Sequence, residues 1–165
     1  MCDVLYGASD RLLPLIKYDN ENPALWIGEL GSFSEKDTLV RTQFSLPYVY
    51  YIGAHTCCGC GFQKRRRRKK RYLLKRALNL FRTKREKLCD STGSDLVLDA
   101  AVNLTYKQLV YYLKEAKKQG AHLELFYCYD GAQGGQPLSK KHIRPVDIES
   151  ETFTFAVMGF YELID

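Results

Sequence analysis

The chain has 165 residues and a mass of 19.0 kDa, with 45% hydrophobic residues and a formal net charge of +6. A chain of this length buries roughly 70% of the surface of its unfolded state, so it needs neither a disulfide framework nor a structural metal to fold. Its composition excludes disorder throughout, and its apolar runs are shorter than the roughly 18–20 residues of a membrane span. We expect one domain over residues 1–165. Because no signal peptide opens the sequence, we expect it in the cytoplasm.

The positive charge is concentrated in one segment. Residues 64–87 contain fourteen lysines and arginines and one acid, a local balance of +13, whereas the rest of the chain has a balance of −7. The sequence therefore predicts an acidic domain with a basic helical insertion at about residues 63–90.

The first half of the chain predicts three strands and a short helix. Residues 3–8 and 24–30 are apolar stretches that end in small residues. Residues 47–53 are aromatic and β-branched on both faces, which is typical of a central strand. Between the last two strands, Ser34 or Asp37 would begin a short helix that reaches Phe44.

The second half predicts helices as well as strands. Apolar spacing indicates a helix from about 68 to 88 and another over 105–119, capped by Thr105 and ended by Gly120. Residues 123–129 and 153–163 read as strands, the latter bulged at Gly159. Without a regular strand–helix–strand rhythm, we expect an α/β or α+β single domain with a mixed sheet and packed helices.

The third strand leads into a cysteine-rich loop that has three interpretations. In the first, Cys57 and Cys60 have the spacing of a zinc-type metal site, which His55 could join. A remaining ligand would be Cys89, His122 or Cys128, which are distant in the sequence. Alternatively, Cys57 is a redox nucleophile and Cys60 its resolving thiol, because a helix N-terminus and nearby cations favour a thiolate. In the third interpretation the cysteines only pack tightly. The candidate residues for metal or thiol chemistry are His55, Cys57, Cys58 and Cys60.

Three stretches of the sequence together resemble an uncharacterised family of bacterial proteins. They are residues 1–6, the block 47–53 with His55 and residues 58–62, and the strand 123–129. The resemblance implies a bacterial cytosolic domain and no particular chemistry, and the long basic run departs from the family pattern.

Eight consecutive cations, residues 64–71, would bind phosphate backbones through counterion release, and nucleic acid or another polyanion is the expected partner. Alternatively, the segment lies on an anionic membrane surface, pairs with acids of this chain or of a second copy in a homo-oligomer, or stays solvated. The candidate contacts are Arg65, Arg66, Arg67, Arg68, Lys69, Lys70 and Arg71.

The leading hypothesis from sequence is therefore a non-enzymatic binding domain whose basic helix contacts a polyanion. The alternative is a metal- or thiol-dependent site in the loop 55–60. A hydrolase triad has no support, because the chain lacks a Gly-x-Ser-x-Gly elbow.

Overall fold

The computed structural model describes residues 2–30, 35–63 and 92–165, and these form one mixed α/β unit. Six strands make a single sheet: β1 (Asp3–Ser9), β2 (Trp26–Glu29), β3 (Tyr48–Gly53), β4 (Leu123–Tyr129), β5 (Ser139–Ile143) and β6 (Gly159–Leu163). The helices are α1 (Glu35–Arg41), α2 (Thr92–Lys118) and α3 (Pro145–Glu149). The predicted mixed sheet with packed helices is confirmed.

The strands follow the order β2-β3-β1-β4-β6-β5, and every neighbouring pair is antiparallel except β5 with β6. The third predicted strand, β3, lies inside the sheet between β2 and β1, as its two apolar faces require. β5 was not predicted from the sequence, because its residues, Ser-Lys-Lys-His-Ile, are mostly charged and exposed and show no apolar pattern. Charged side chains on an edge strand discourage pairing with another chain.

Both faces of the sheet are covered. Odd-numbered residues of β1 such as Leu5 face α2, whose buried stripe includes Leu109 and Leu113. Even-numbered residues such as Tyr6 belong to a second, smaller cluster with Val40 of α1. This alternation is the period-2 pattern of a strand, so β1 is buried along its whole length.

Two predicted boundaries were wrong. Thr105 does not cap a helix: α2 begins at Thr92, and the Thr105 hydroxyl donates to the Ala101 carbonyl one turn earlier, at 3.0 Å. The last strand begins at Gly159 rather than at 153, because a turn precedes it in which Met158 has a φ of 57° and the Gly159 amide donates to Ala156.

The predicted end of α2 is confirmed. Gly120 has a φ of 78°, and the Ala121 amide donates back to the Ala116 carbonyl at 3.1 Å, as in a glycine-terminated helix. Within the described residues, no helix combines the length and apolar character needed to cross a membrane.

Candidate functional site

The cysteine loop forms a compact turn at the end of β3. The Cys57 amide donates to the Ala54 carbonyl at 2.9 Å, and the Ala54 amide donates to the Cys58 carbonyl at 3.1 Å. Cys57 adopts a φ of 63°, which reverses the chain and leaves its side chain exposed. A 3₁₀ helix over Gly59–Phe62 follows directly, with Cys58 at its N-cap position.

Gly59 presses the turn against the backbone of β1. A Cβ atom at this position would lie 2.7 Å from the Asp3 carbonyl oxygen and 2.8 Å from the Val4 Cα. Both obstacles are main-chain atoms in a buried strand, so they have no room to move. Only glycine permits this approach, which holds the flanking Cys58 and Cys60 beside the first residues of β1.

Cys58 is the cysteine whose thiolate the turn favours. Partial burial opposes ionisation, but hydrogen bonds from the Thr56 hydroxyl and from the thiol and amide of Cys60 outweigh it, so the pKa of Cys58 lies below its usual value. The Thr56 Oγ1 lies 3.5 Å from the Cys58 sulfur. Because Cys58 is also partly exposed, it meets both requirements of a nucleophilic thiol.

Cys60 has the opposite character. Burial, reinforced by the neighbouring Cys58, raises the pKa of the Cys60 thiol to about 11, although the Asp3 amide donates to its sulfur at 3.2 Å. Of the two thiols, Cys58 therefore loses its proton at the lower pH and Cys60 at the higher one. Cys2 is close enough to Cys60 to add to this repulsion.

A buried carboxylate fixes the turn to the sheet. Asp3 is only 2% exposed, and its Oδ2 accepts hydrogen bonds from the Tyr127 hydroxyl, at 2.8 Å, and from the Gln63 side-chain amide. Gln63 is the C-cap residue of the 3₁₀ helix. Tyr127 lies on β4, which pairs with β1, the strand that contains Asp3. Asp3 thus connects the end of the cysteine turn to the centre of the sheet.

His55 is held by α2 and not by the cysteines. Its Nδ1 lies 3.1 Å from the Thr105 Oγ1, whose own proton goes to Ala101, so His55 donates from Nδ1. Burial lowers the pKa of the His55 imidazole and so favours the neutral ring. The ring packs on Gly61, where a Cβ would lie 2.9 Å from two of its atoms. These contacts give His55 a positioning role for the turn.

The structure brings the four predicted loop residues into one turn but arranges them differently from the predicted metal site. Across residues 2–30, 35–63 and 92–165, no three histidine, cysteine or acidic side chains are placed to hold a metal ion together. Cys128, one of the predicted distant ligands, is buried in the second, smaller core cluster, and burial raises its pKa to about 12. Cys89, another, lies outside the described residues.

Sequence reasoning missed three contributors to the site: Cys2, Asp3 and Thr56. The spacing of the cysteines gave no sign that the N-terminal strand would lie against them. The signal that could have found Asp3 is the presence of an acid at the start of an otherwise apolar strand, since a buried carboxylate needs partners.

The basic residues Arg65–Arg71 and the helix predicted over 68–88 lie outside the described residues. Gln63, the last described residue before them, donates a hydrogen bond to Asp3 beside the cysteine turn.

Comparison of the chain with protein-family models, with curated proteins and with solved structures gives no match in any of the three. The resemblance to an uncharacterised bacterial family therefore stays a prediction.

Proposed function

We propose that this chain is a thiol-dependent protein in which Cys58 and Cys60 carry out dithiol–disulfide exchange. The observation that supports this most directly is the different surroundings of the two sulfurs: Thr56 Oγ1 lies 3.5 Å from that of Cys58, whose pKa is lowered, and the Asp3 amide donates to that of Cys60, whose pKa is raised. We assign the nucleophile to Cys58 and not to Cys57, because the Thr56 hydroxyl lies 3.5 Å from the Cys58 sulfur and the pKa of Cys58 is lowered.

The exchange has two steps. The Cys58 thiolate attacks one sulfur of a partner disulfide, forms a mixed disulfide and releases the other partner sulfur as a thiolate. Cys60 then loses its proton to solvent and attacks the Cys58 sulfur, which releases the second partner thiol. The chain ends with a Cys58–Cys60 disulfide and has lost two electrons, and the partner disulfide has gained them. The Asp3 amide that donates to Cys60 stabilises the thiolate required for the second step.

A reducing bacterial cytoplasm suits this chemistry. The five described cysteines, Cys2, Cys57, Cys58, Cys60 and Cys128, are all free thiols. Free thiols are typical of reducing compartments, where reversible disulfides are catalytic or redox-sensing.

The test is to expose the full-length protein to glutathione disulfide, quench with acid and map the adducts by mass spectrometry. We expect a transient glutathione adduct on Cys58 in the unmodified chain, accumulation of that adduct in Cys60→Ser, and its loss in Cys58→Ser. Cys57→Ser is the matched control and should behave like the unmodified chain. Adducts mainly on Cys57, or equal accumulation with and without Cys60, would overturn the proposal.

We propose polyanion binding by the basic segment as a second activity. It is supported by the run of cations that begins at Lys64, directly beside the cysteine turn. Arg65–Arg71 would contact phosphates of nucleic acid or a similar polymer, which releases counterions and makes the affinity depend on salt.

Fluorescence anisotropy with a labelled DNA duplex at about 50 mM and about 200 mM salt tests this activity. Counterion release predicts binding that weakens steeply between the two concentrations. Absence of binding at the lower salt, or binding that salt does not change, contradicts it. Self-association that salt reverses, in place of DNA binding, would assign the cations to a homo-oligomer instead.

A further inference from the structure

A groove of about 640 Å³ runs along the second half of α2, on the side where the connection 14–25 crosses the helix. We call it the α2 groove. Its size falls within the roughly 300–1,000 Å³ typical of small-molecule sites. None of its described lining residues belongs to the cysteine turn. Among its lining residues are Ile16, Lys17, Leu25, Lys107, Tyr111 and Tyr112.

The outer wall of the α2 groove is fixed in place at three points. The Tyr112 hydroxyl donates to the Pro14 carbonyl at 2.8 Å, and the Leu25 amide donates to the Gln108 side chain at 2.9 Å. Between them, Ile16 and Ile27 exchange two backbone hydrogen bonds of 3.0 and 2.8 Å, which attach the wall to β2. The groove is therefore preformed, so a ligand would not have to order it.

The interior of the α2 groove suits a flat apolar group. Leu25 is buried at its base, Ile16 and Tyr112 are half-buried beside it, and Tyr111 stands at the edge with 68% of its surface exposed. An aromatic ring left in solvent beside an apolar surface gains by stacking on a second ring.

The acidic and basic side chains that line the groove differ in whether they have hydrogen-bond or ion-pair partners. Asp19 accepts the amides of Glu21 and Asn22, at 2.8 and 3.3 Å, and Glu115 forms an ion pair with Lys118 at 2.6 Å. The two lysines, by contrast, form no ion pair with any residue of the described part of the chain. Among the described residues the groove thus offers two lysines without an ion-pair partner, whereas Asp19 keeps its negative charge but turns its oxygens toward main-chain amides.

We propose that the α2 groove binds a small aromatic anion, whose ring lies against Tyr111 and Tyr112 and whose carboxylate, sulfonate or phosphate faces Lys17 and Lys107. The fixed walls and the exposed ring favour a small aromatic ligand, and the two lysines favour an anion over a neutral or cationic molecule. The proposal is independent of disulfide exchange at Cys58.

The probe for the test is 8-anilinonaphthalene-1-sulfonate, an aromatic sulfonate, titrated into the full-length ¹⁵N-labelled protein. Amide shifts in two-dimensional NMR locate the site, and fluorescence gives the Kd. We expect saturable shifts in residues 14–25 and 107–115. Shifts confined to residues 64–87, or no saturable binding, would overturn the proposal.

Two variants separate the charge from the ring. Lys17→Gln combined with Lys107→Gln should weaken probe binding about fivefold or more, since about 1 kcal/mol corresponds to that factor. Tyr111→Ser should weaken it as well, without any change in charge. Lys140→Gln with Lys141→Gln on edge strand β5 is the matched control and should leave the Kd unchanged. Equal Kd values for the two double variants would contradict the proposal.

Discussion

At the scale of single residues, the site depends on how hydrogen-bond donors are shared between two sulfurs. Cys58 and Cys60 are separated by one glycine, yet the pKa of the first is lowered and that of the second is raised. Neighbouring donors aimed at Cys58 favour its charge, and burial combined with that charge disfavours a second one on Cys60. Asp3 holds this arrangement by binding Gln63 and Tyr127.

Tyr127→Phe tests the role of Asp3. The change removes one of two hydrogen bonds to a buried carboxylate and should lower the free energy of unfolding by about 1–3 kcal/mol. Urea denaturation measures it. Tyr129→Phe, two residues along at a position that is 38% exposed, is the matched control and should change stability by less than about 0.5 kcal/mol. Similar effects of the two substitutions would show that the hydroxyl of Tyr127 does not support Asp3.

Gly59→Ala tests the close approach of the turn to β1. The added methyl would overlap main-chain atoms of Asp3 and Val4, so the turn must shift, and we expect a loss of about 1–3 kcal/mol in unfolding free energy. The pH dependence of Cys58 alkylation in the native protein should also change, because the groups that lower its pKa would move with the turn. Gly134→Ala is the control, because its methyl would meet only Leu39 side-chain atoms at 3.4 Å or more. A Gly59→Ala protein as stable as the control would contradict the packing described.

At the scale of elements, the sequence predicted best where burial decides the pattern. The strands 123–129 and 3–8 were recognised because they are apolar and buried, and Gly120 marked the end of α2. β5 was missed because an exposed charged edge strand carries no periodic signal. Thr105 was predicted to cap a helix because threonine is a preferred N-cap residue. Its hydroxyl instead donates within α2, to the Ala101 carbonyl.

The sequence indicated the loop that carries the candidate site, but neither the arrangement of its residues nor the contributions of Cys2, Asp3 and Thr56. The cysteines and His55 of the loop were identified from the sequence, whereas the assignment of the nucleophile to Cys57 rested on spacing alone. Hydrogen bonding from Thr56 and the contact of Gly59 with β1 favour Cys58. The first contact depends on the local conformation of the turn and the second on the approach of the turn to a distant strand, and a spacing rule contains neither.

Glu124 attaches to the sheet the segment that follows α1, the helix that covers the second face. This carboxylate, 8% exposed on β4, accepts the Ser45 amide at 3.0 Å and the Ser45 hydroxyl at 2.5 Å. The two bonds tie the segment that follows α1 to the sheet.

Glu124→Gln should therefore lower the unfolding free energy by about 1–3 kcal/mol, because an amide nitrogen would face a donor of Ser45. Glu162→Gln, its exposed cross-strand neighbour, is the control and should have an effect below about 1 kcal/mol. Thermal or urea unfolding distinguishes the two. A larger loss in Glu162→Gln would assign the fastening to another contact.

At the scale of the whole molecule, the net charge of +6 is the sum of +13 over residues 64–87 and −7 over the rest of the chain, and the basic segment follows Gln63 of the cysteine turn in the sequence. The two proposed activities therefore start from adjacent residues but depend on different forces. Thiol chemistry depends on local hydrogen bonds, and polyanion binding depends on long-range charge that salt screens.

Replacing Arg65, Arg66, Arg67 and Arg68 by Gln tests whether the activities are separable. We expect the variant to lose most of its low-salt DNA affinity, measured by anisotropy, because four phosphate contacts disappear. Exchange of Cys58 with glutathione disulfide should stay within about twofold of the unmodified chain, since the donors to its sulfur come from Thr56 and Cys60. Parallel loss of both activities would show that the basic run is part of the thiol site.

The most direct test of the central claim is the pH dependence of Cys58 alkylation by iodoacetamide, resolved residue by residue with mass spectrometry. The same residue in the urea-unfolded chain is the reference, where a thiol pKa is about 8.5. Because only the thiolate reacts, the lowered pKa predicts that the midpoint for native Cys58 falls at a lower pH than in the unfolded chain, and that native Cys60 requires a higher pH. A native Cys58 midpoint at or above that of the unfolded chain would contradict the account.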